Sequence, residues 1–405
     1  MPVGIEKINL YAGRLYLDIA ELAKVRGLDE QYIANHLMCT TRSVYPNWED
    51  AVTLAVNAAK RLLTPEDIQD IELVIVSTES AVDRGKPVST WVRHFCNLSP
   101  NCRNFEVKFA CYGCTGALKM AASWVASGIR PGKKALVINA DSSLSDLHHP
   151  AEPIGGGAAV AMLVSDRPEI LEIELDKAGY WTTEIYDTFR PTAKTEIIND
   201  QISLYSYLDA LDGAYEHYEQ IVGEIDYDRQ FKKHIYHAPF PGMTYQAHRT
   251  MLNRFGVTDK KSIQSNFQTK VGESLYFGKR IGTVYGSSTF VSLMGLLHSA
   301  SDLQPGDPIS IFAYGSGCQS EFYSGFIGTT ASAKVRSLNL DQHLNERLQL
   351  SVAEYEAIES SRQQVIECPT YEPDLLNGFY DKVYAGQKLL VLKQVENYHR
   401  RYEWS

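Results

Sequence analysis

The sequence predicts a layered α/β fold built from a duplicated unit. Three observations carry this. Short apolar runs of strand length alternate with helical stretches, the second half repeats the order of the first, and no low-complexity or Pro/Ser-rich linker divides the chain. The expected parts are a first half over 1–167, a middle insertion over 168–230 and a second half over 231–405.

In chain order, Leu73–Thr78 is a continuous apolar run that reads as a buried strand. Asn104–Phe109 alternates and ends at the small, turn-like Ala110-Cys111. Thr115–Ala126 is Ala-rich, with Leu118, Ala122 and Val125 near one helical face. Ala135–Ala140 is a second buried strand, and Gly155-Gly156-Gly157 opens a third that runs to Val164. In the insertion, Tyr205, Leu208, Leu211 and Tyr215 mark a helix from Tyr205 to Tyr218. His234–Ala238 then matches the Val74 strand, and Ile309–Tyr314 matches the Val137 strand. Val284-Tyr285-Gly286-Ser287-Ser288 echoes Cys111-Tyr112-Gly113-Cys114-Thr115, each before an Ala/Leu/Met-rich helix.

The 405 residues are 44% hydrophobic and 22% charged, enough for a large core. The net charge of -10 argues against nucleic acid as a partner. No apolar run has the roughly 18–20 residues of a membrane helix, and Met1–Lys7 lacks the apolar stretch of a signal peptide. Seven cysteines, an odd and small number, fit a reduced cytoplasmic protein.

Cys111 stands between a strand and a small-residue helix. A thiol there meets the positive end of the helix dipole, which is expected to lower its pKa. The backbone N–H groups beside it suit a thioester oxyanion. The alternative is a buried structural cysteine. Cys111 and Cys114 form a C-x-x-C, but no second C-x-x-C or H-x₃-H completes a zinc site. Cys114 therefore reads as a small residue filling the helix start, and no metal is expected. Glu79 follows the Val74 strand, where α/β sites form and where desolvation suits a carboxylate to act as a base; an exposed helix-cap role is the alternative. His237 ends the matching strand of the second half and would face Glu79 across a cleft between the halves. His148, His149 and His248 read as solvated. Gly155–Gly157 and Gly315-Ser316-Gly317 match no nucleotide loop and read as close backbone packing near a ligand or between the halves.

With these residues in order, the chain resembles the 3-hydroxy-3-methylglutaryl-CoA (HMG-CoA) synthases of the thiolase superfamily from about Gly4 to Gly325. Six motifs carry the resemblance: Ser77-Thr78-Glu79-Ser80, Ala110-Cys111-Tyr112-Gly113, Tyr186–Thr192, Tyr207–Asp212, His237-Ala238-Pro239-Phe240 and Gly315–Gly325. Asn101–Lys108, Asp83-Arg84-Gly85-Lys86 and Cys318 look like the branch that installs β-branches in polyketide biosynthesis. That branch takes acyl groups from acyl carrier proteins.

The resemblance implies a thiolase-like αβαβα fold, a homodimer and no intrinsic cofactor, with the acyl group delivered on phosphopantetheine by a donor and an acceptor carrier protein, or on CoA. It implies Cys111 as nucleophile, Glu79 as the base that removes a methyl proton from the bound acetyl, and His237 as the group that polarises the acceptor ketone. Substrate-binding roles fall to Tyr112, Gly113, Thr283, Gly315, Ser316 and Gly317. Two positions depart from the family: Thr283 replaces an Asn that orients the acyl oxygen, and Phe109 replaces a polar amide residue. Carriers are acidic, so docking calls for a basic rim. Lys232, Lys233, Arg249, Arg254, Lys260 and Lys261 cluster around His237 in sequence and are its candidates, a solvated surface being the alternative. Other readings are a mevalonate-type synthase using CoA thioesters, a ketoacyl-synthase-III-like enzyme, and an inactive carrier-binding scaffold. The Glu79 and His237 motifs speak against the ketoacyl type.

Overall fold

The apolar runs become strands of a nine-stranded sheet in the computed structural model, which describes residues 2–144, 147–376 and 378–405. We number its strands β1 (Gly4–Tyr11), β2 (Ile71–Ser77), β3 (Arg103–Val107), β4 (Lys134–Ser142), β5 (Gly157–Ser165), β6 (Leu171–Thr182), β7 (Lys233–Tyr236), β8 (Pro308–Gly315) and β9 (Gln319–Ile327). The spatial order is β7-β8-β9-β6-β1-β5-β4-β2-β3. Each half carries a parallel pair followed by antiparallel strands: β2 and β4, then β5 and β1, in the first; β7 and β8, then β9 and β6, in the second. The halves join through a short seam, where Gly4 and Ile5 of β1 pair with Glu172 and Leu171 of β6. Strand β6 lies in the stretch 168–230 expected as an insertion. It escapes a pattern reading because Glu172, Glu174, Asp176 and Lys177 break its apolar run.

Four helices define the layers: α1 (Ala51–Leu62), α2 (Gly113–Ala126), α3 (Asp200–Val222) and α4 (Ser288–Ser299). Alternate residues of the central strands point to opposite sides. Leu73, Ile75, Val137 and Met162 join Ile235, Ile309 and Ile311 of the second half in one core that encloses α2 and α4. Val74, Val76, Leu136 and Ile138 turn outward against α1. Phe312, Tyr314 and Phe322 turn outward against α3. The layers are thus helix, sheet, helix pair, sheet, helix, the thiolase-like arrangement. The close packing expected of Gly155–Gly157 is present: a Cβ on Gly156 would lie 2.4 Å from the carbonyl oxygen of Ile281, so only glycine lets the halves approach there. No helix among the described residues is long and apolar enough to cross a membrane.

Candidate active site

Cys111 sits in the turn between β3 and α2, after Ala110 with φ 35°. A Cβ on Gly113 would lie 2.4 Å from Ser77 Oγ, so glycine is what lets α2 start against the end of β2. The Gly113 N–H donates to the Phe109 carbonyl at 2.9 Å, so this helix-start donor is already engaged. Cys111 Sγ lies 3.7 Å from Glu79 Oε1 and donates to it. Its pKa is pushed well above the ordinary thiol range by burial, then by the charges of Glu79, Asp141 and Glu196, against Arg190. This reverses the expectation of a lowered value: three nearby carboxylates and desolvation outweigh one helix end. A nucleophilic thiolate here must hand its proton to a neighbour, and Glu79 is in place. Cys114 is fully buried in the central core, and all seven cysteines are free thiols.

Glu79 follows β2, and its backbone N–H donates to Asp141 Oδ1 at 2.8 Å. Its carboxyl is pushed up to about 8 by burial, with Asp141 and Glu196 adding to the rise; Arg190 is the main opposing charge. Arg190 comes from a separate two-stranded hairpin, Thr188–Thr192 with Thr195–Ile198. Its Nε lies 3.7 Å from Glu79 Oε2 and 3.3 Å from Glu196 Oε1. Its Nη1 donates to the Glu79 carbonyl at 3.2 Å and its Nη2 to the Tyr285 hydroxyl at 2.6 Å.

His237 follows β7, only 1% exposed, and burial drives its pKa down to about 3. Its backbone is fixed at both groups: the N–H donates to the Phe312 carbonyl at 2.7 Å, and the carbonyl accepts from Tyr207 at 2.7 Å. Its Nδ1 lies 2.6 Å from Ser288 Oγ, which also accepts the Ala238 N–H at 3.2 Å.

One turn ties these three residues together. Tyr285 meets Arg190, which reaches Glu79. A Cβ on Gly286 would lie 3.1 Å from the Cys111 carbonyl oxygen. Ser287 Oγ donates to Asn139 Oδ1 at 2.6 Å, and Asn139 donates to Asp141 at 3.0 Å. Ser288 meets His237. The same turn follows Thr283, whose N–H donates to the Ile154 carbonyl at 2.8 Å and whose side chain is half-buried.

The late glycine loop packs on the Cys111 turn, because a Cβ on Gly315 would lie 2.5 Å from the Tyr112 amide nitrogen. Ser316 is half-buried, and the Gly317 N–H donates to Asp187 Oδ1 at 2.9 Å. The Tyr112 hydroxyl donates to Glu321 at 2.8 Å.

The basic candidates divide. Lys233 is buried, in ion pairs with Glu273 at 2.7 Å and Asp302 at 2.8 Å, so it belongs to no docking rim. Lys232 pairs with Asp302, and Arg254 pairs with Glu219 at 3.2 Å while lying over the Tyr215 ring. Arg249, Lys260 and Lys261 are exposed. Arg249 and Lys260 line a cleft of about 1470 Å³, together with His36, Gly242, Tyr245 and Lys279. Cys111, Glu79 and His237 do not line it. His148 and His149 are exposed as expected. His248 is fully buried instead, because Tyr236 at 3.0 Å and Asn266 at 2.7 Å satisfy its two ring nitrogens.

Asp141, Glu196, Tyr285 and Ser288 were not singled out from sequence. Arg190 lay in a quoted motif without a role. The one available signal was the echo of the Cys111 turn by Val284–Ser288, which placed a second helix start in the same layer.

The Hydroxymethylglutaryl-coenzyme A synthase N-terminal family model matches residues 1–168, and the C-terminal model matches 246–404. The chain is 36% identical over 420 aligned residues to the polyketide biosynthesis 3-hydroxy-3-methylglutaryl-ACP synthase PksG of Bacillus subtilis (strain 168), covering 100% of this chain and 99% of that protein. The crystal structure of the curacin biosynthetic pathway HMG synthase in complex with holo donor-ACP superposes with a TM-score of 0.95, at 38% identity and with both chains covered in full. An HMG-CoA synthase complexed with CoA superposes at 0.88, with 30% identity and again full coverage of both chains.

Proposed function

Because the chain belongs to the hydroxymethylglutaryl-coenzyme A synthase family, we propose that it builds β-branches in polyketide biosynthesis. It condenses an acetyl group, received from an acetyl-carrier protein, with the β-ketone of a carrier-bound polyketide intermediate. The product is a 3-hydroxy-3-methylglutaryl-type thioester. The observation that carries this reading is the full-length match to PksG and to the curacin enzyme, closer in identity and superposition than the match to the CoA-bound synthase.

The geometry supports the following roles. Cys111 gives its proton to Glu79 and attacks the donor thioester; the tetrahedral adduct collapses, Glu79 passes the proton to the leaving phosphopantetheine thiolate, and S-acetyl-Cys111 remains beside a free Glu79 carboxylate. Glu79 removes a proton from the acetyl methyl. A carboxyl at about 8 is a stronger base than an ordinary glutamate. The enolate carbon attacks the acceptor β-ketone, and His237 donates a hydrogen bond to that oxygen. At a pKa of about 3 the imidazole is neutral, as carbonyl polarisation without a charged ring requires. The tertiary alkoxide takes the neutral ring's N–H proton, the ring regains a proton from water, and the methyl proton held on Glu79 returns to solvent, so the step closes with no net change in charge. The tautomer with its proton on Nε2, which this role needs, leaves Nδ1 free to accept from the Ser288 hydroxyl 2.6 Å away. Water then cleaves the Cys111 thioester to a free carboxylate.

In this reading Tyr112, Gly113, Gly315, Ser316 and Gly317 shape the acyl pocket through backbone, and Thr283 offers one hydroxyl where an amide would offer more. Arg249, Arg254, Lys260 and Lys261 guide carrier proteins for both donor and acceptor; Arg249 and Lys260 flank the cleft beside the loop that follows His237. The two halves are 1–167 and 231–405, with β6 joining the second. The protein works in the cytoplasm as a homodimer, and the position of β3 at the edge of the sheet among the described residues suits such an association.

Intact-protein mass spectrometry tests the reading, with acetyl-carrier protein and acetyl-CoA offered separately and Cys111→Ser as control. Label from the carrier, lost in the variant, is expected. Equal label from CoA would favour the mevalonate-type activity, and no label from either would reduce the chain to a carrier-binding scaffold.

A further inference from the structure

We propose that Glu196 is a positioning residue for the base: it shares the Arg190 guanidinium with Glu79 and so keeps Arg190 from closing a full ion pair on the carboxylate that must take the proton. The inference rests on Glu79 as base and goes beyond it.

Among the described residues, every hydrogen bond the guanidinium makes goes elsewhere than the Glu79 carboxylate. Nη1 donates to the Glu79 carbonyl at 3.2 Å and Ser80 Oγ at 3.3 Å. Nη2 donates to the Tyr285 hydroxyl at 2.6 Å and Glu196 Oε2 at 3.4 Å. Nε makes no hydrogen bond among the described residues; it lies nearer Glu196 (3.3 Å) than Glu79 (3.7 Å). The Glu196 side chain is only 9% exposed, so water does little to screen this competition. A forked arginine that gripped Glu79 with two parallel hydrogen bonds would hold the carboxyl low and make it a poor base for a methyl proton.

The other groups facing Glu79 do not supply this function. Asp141 is occupied by hydrogen bonds from the Glu79 and Ser80 amides, the Thr78 hydroxyl and the Asn139 side chain. Cys111 is the nucleophile, and Tyr285 lies over Arg190 as a neutral phenol. Besides Glu79, Glu196 is the one carboxylate among the described residues in an ion pair with the fork, and it draws on it from the hairpin that carries Arg190.

The test is the pH dependence of deuterium exchange into the acetyl methyl of S-acetyl-Cys111, measured on full-length enzyme loaded from acetyl-carrier protein. Glu196→Gln is expected to shift the acidic limb down by roughly one pH unit, read on folded protein after Cys111 has been acetylated to completion. The same substitution in an Arg190→Lys background is expected to move the limb by less than half as much, because lysine has no fork to share. An unmoved limb in Glu196→Gln, or equal shifts in both backgrounds, overturns the proposal. The base assignment fails separately: Glu79→Gln would then exchange deuterium at the wild-type rate.

Discussion

Gly315→Ala is expected to displace Cys111, the proposed nucleophile, without replacing any side chain of the site. The new Cβ would lie 2.5 Å from the Tyr112 amide nitrogen, 2.7 Å from Tyr112 Cβ and 3.0 Å from the Phe109 carbonyl oxygen. An ordinary contact needs about 3.4 Å or more, so one backbone must give by close to an ångström. Gly315 ends β8, which is paired along its length with β9 and cannot easily move. The Cys111 turn is the softer side, and it carries the 3.7 Å contact between Sγ and Glu79. Overpacking of this kind costs about 1–3 kcal/mol of stability. A misplacement of about 1 Å at reacting atoms costs on the order of 100-fold in rate. Rapid-quench mass spectrometry of Cys111 acetylation under single-turnover conditions reads the rate, and a thermal melt reads the stability. The expected result is acetylation slowed on the order of 100-fold in a folded protein. Wild-type acetylation with an unchanged Tm would refute the argument that the glycine loop sets the nucleophile's position.

Glu79→Gln separates base strength from stability. The folded value of about 8 lies above the ordinary 4.5, so folded protein holds this proton more tightly than unfolded chain. That stabilisation is complete below about 4.5 and is lost as pH rises through 8. The Tm of the glutamine variant relative to wild type is therefore expected to climb between these limits and level off above them, and a flat difference would contradict a buried, raised carboxyl. Ser288→Ala is expected to slow condensation about 10- to 100-fold while leaving Cys111 acetylation intact, measured by quantifying acyl-enzyme and branched product separately; equal loss of both would show that Ser288 supports the fold rather than His237. Arg249→Glu is expected to weaken binding of acetyl-carrier protein about 10-fold at low salt and to flatten its salt dependence, read by fluorescence titration. Arg254→Glu removes a residue already tied to Glu219, so it is expected to lower Tm more than Arg249→Glu does.

What the sequence makes legible follows from where each signal resides. Strands buried on both faces, such as Ile71–Ser77 and Lys134–Ser142, leave continuous apolar runs, and these place the layers and the sheet ends that hold Glu79 and His237. Strand Leu171–Thr182 is half-exposed and charged, so nothing local distinguishes it from a loop. Cys111 was locatable from its turn, yet its pKa moved against the local expectation. A helix end is visible within a few residues of sequence, whereas Asp141 and Glu196 reach the thiol across 30 and 85 positions by subtraction from 111. His248 looked solvated because the partners that permit its burial, Tyr236 and Asn266, lie 12 and 18 residues away.

Duplication explains why one turn touches all three candidate catalytic residues. Repeating the unit sets two helix starts, at Gly113 and Ser288, in the shared middle layer, each following a small-residue turn. The first turn carries Cys111, the proposed nucleophile. The second, Val284–Ser288, carries none, and its residues are instead spent on contacts: Tyr285 to Arg190, Gly286 against Cys111, Ser287 to Asn139, Ser288 to His237. A shift of this segment would alter the surroundings of Glu79, through Arg190, and of Cys111 and His237 together. Substitutions along it should therefore be strongly non-additive when combined, since each perturbs a neighbour that the next one also touches. The double variant Ser287→Ala/Ser288→Ala tests this. Additive losses in the condensation rate would mean that the turn is a set of separate contacts, whereas a double loss clearly different from the sum would mean that it acts as one unit.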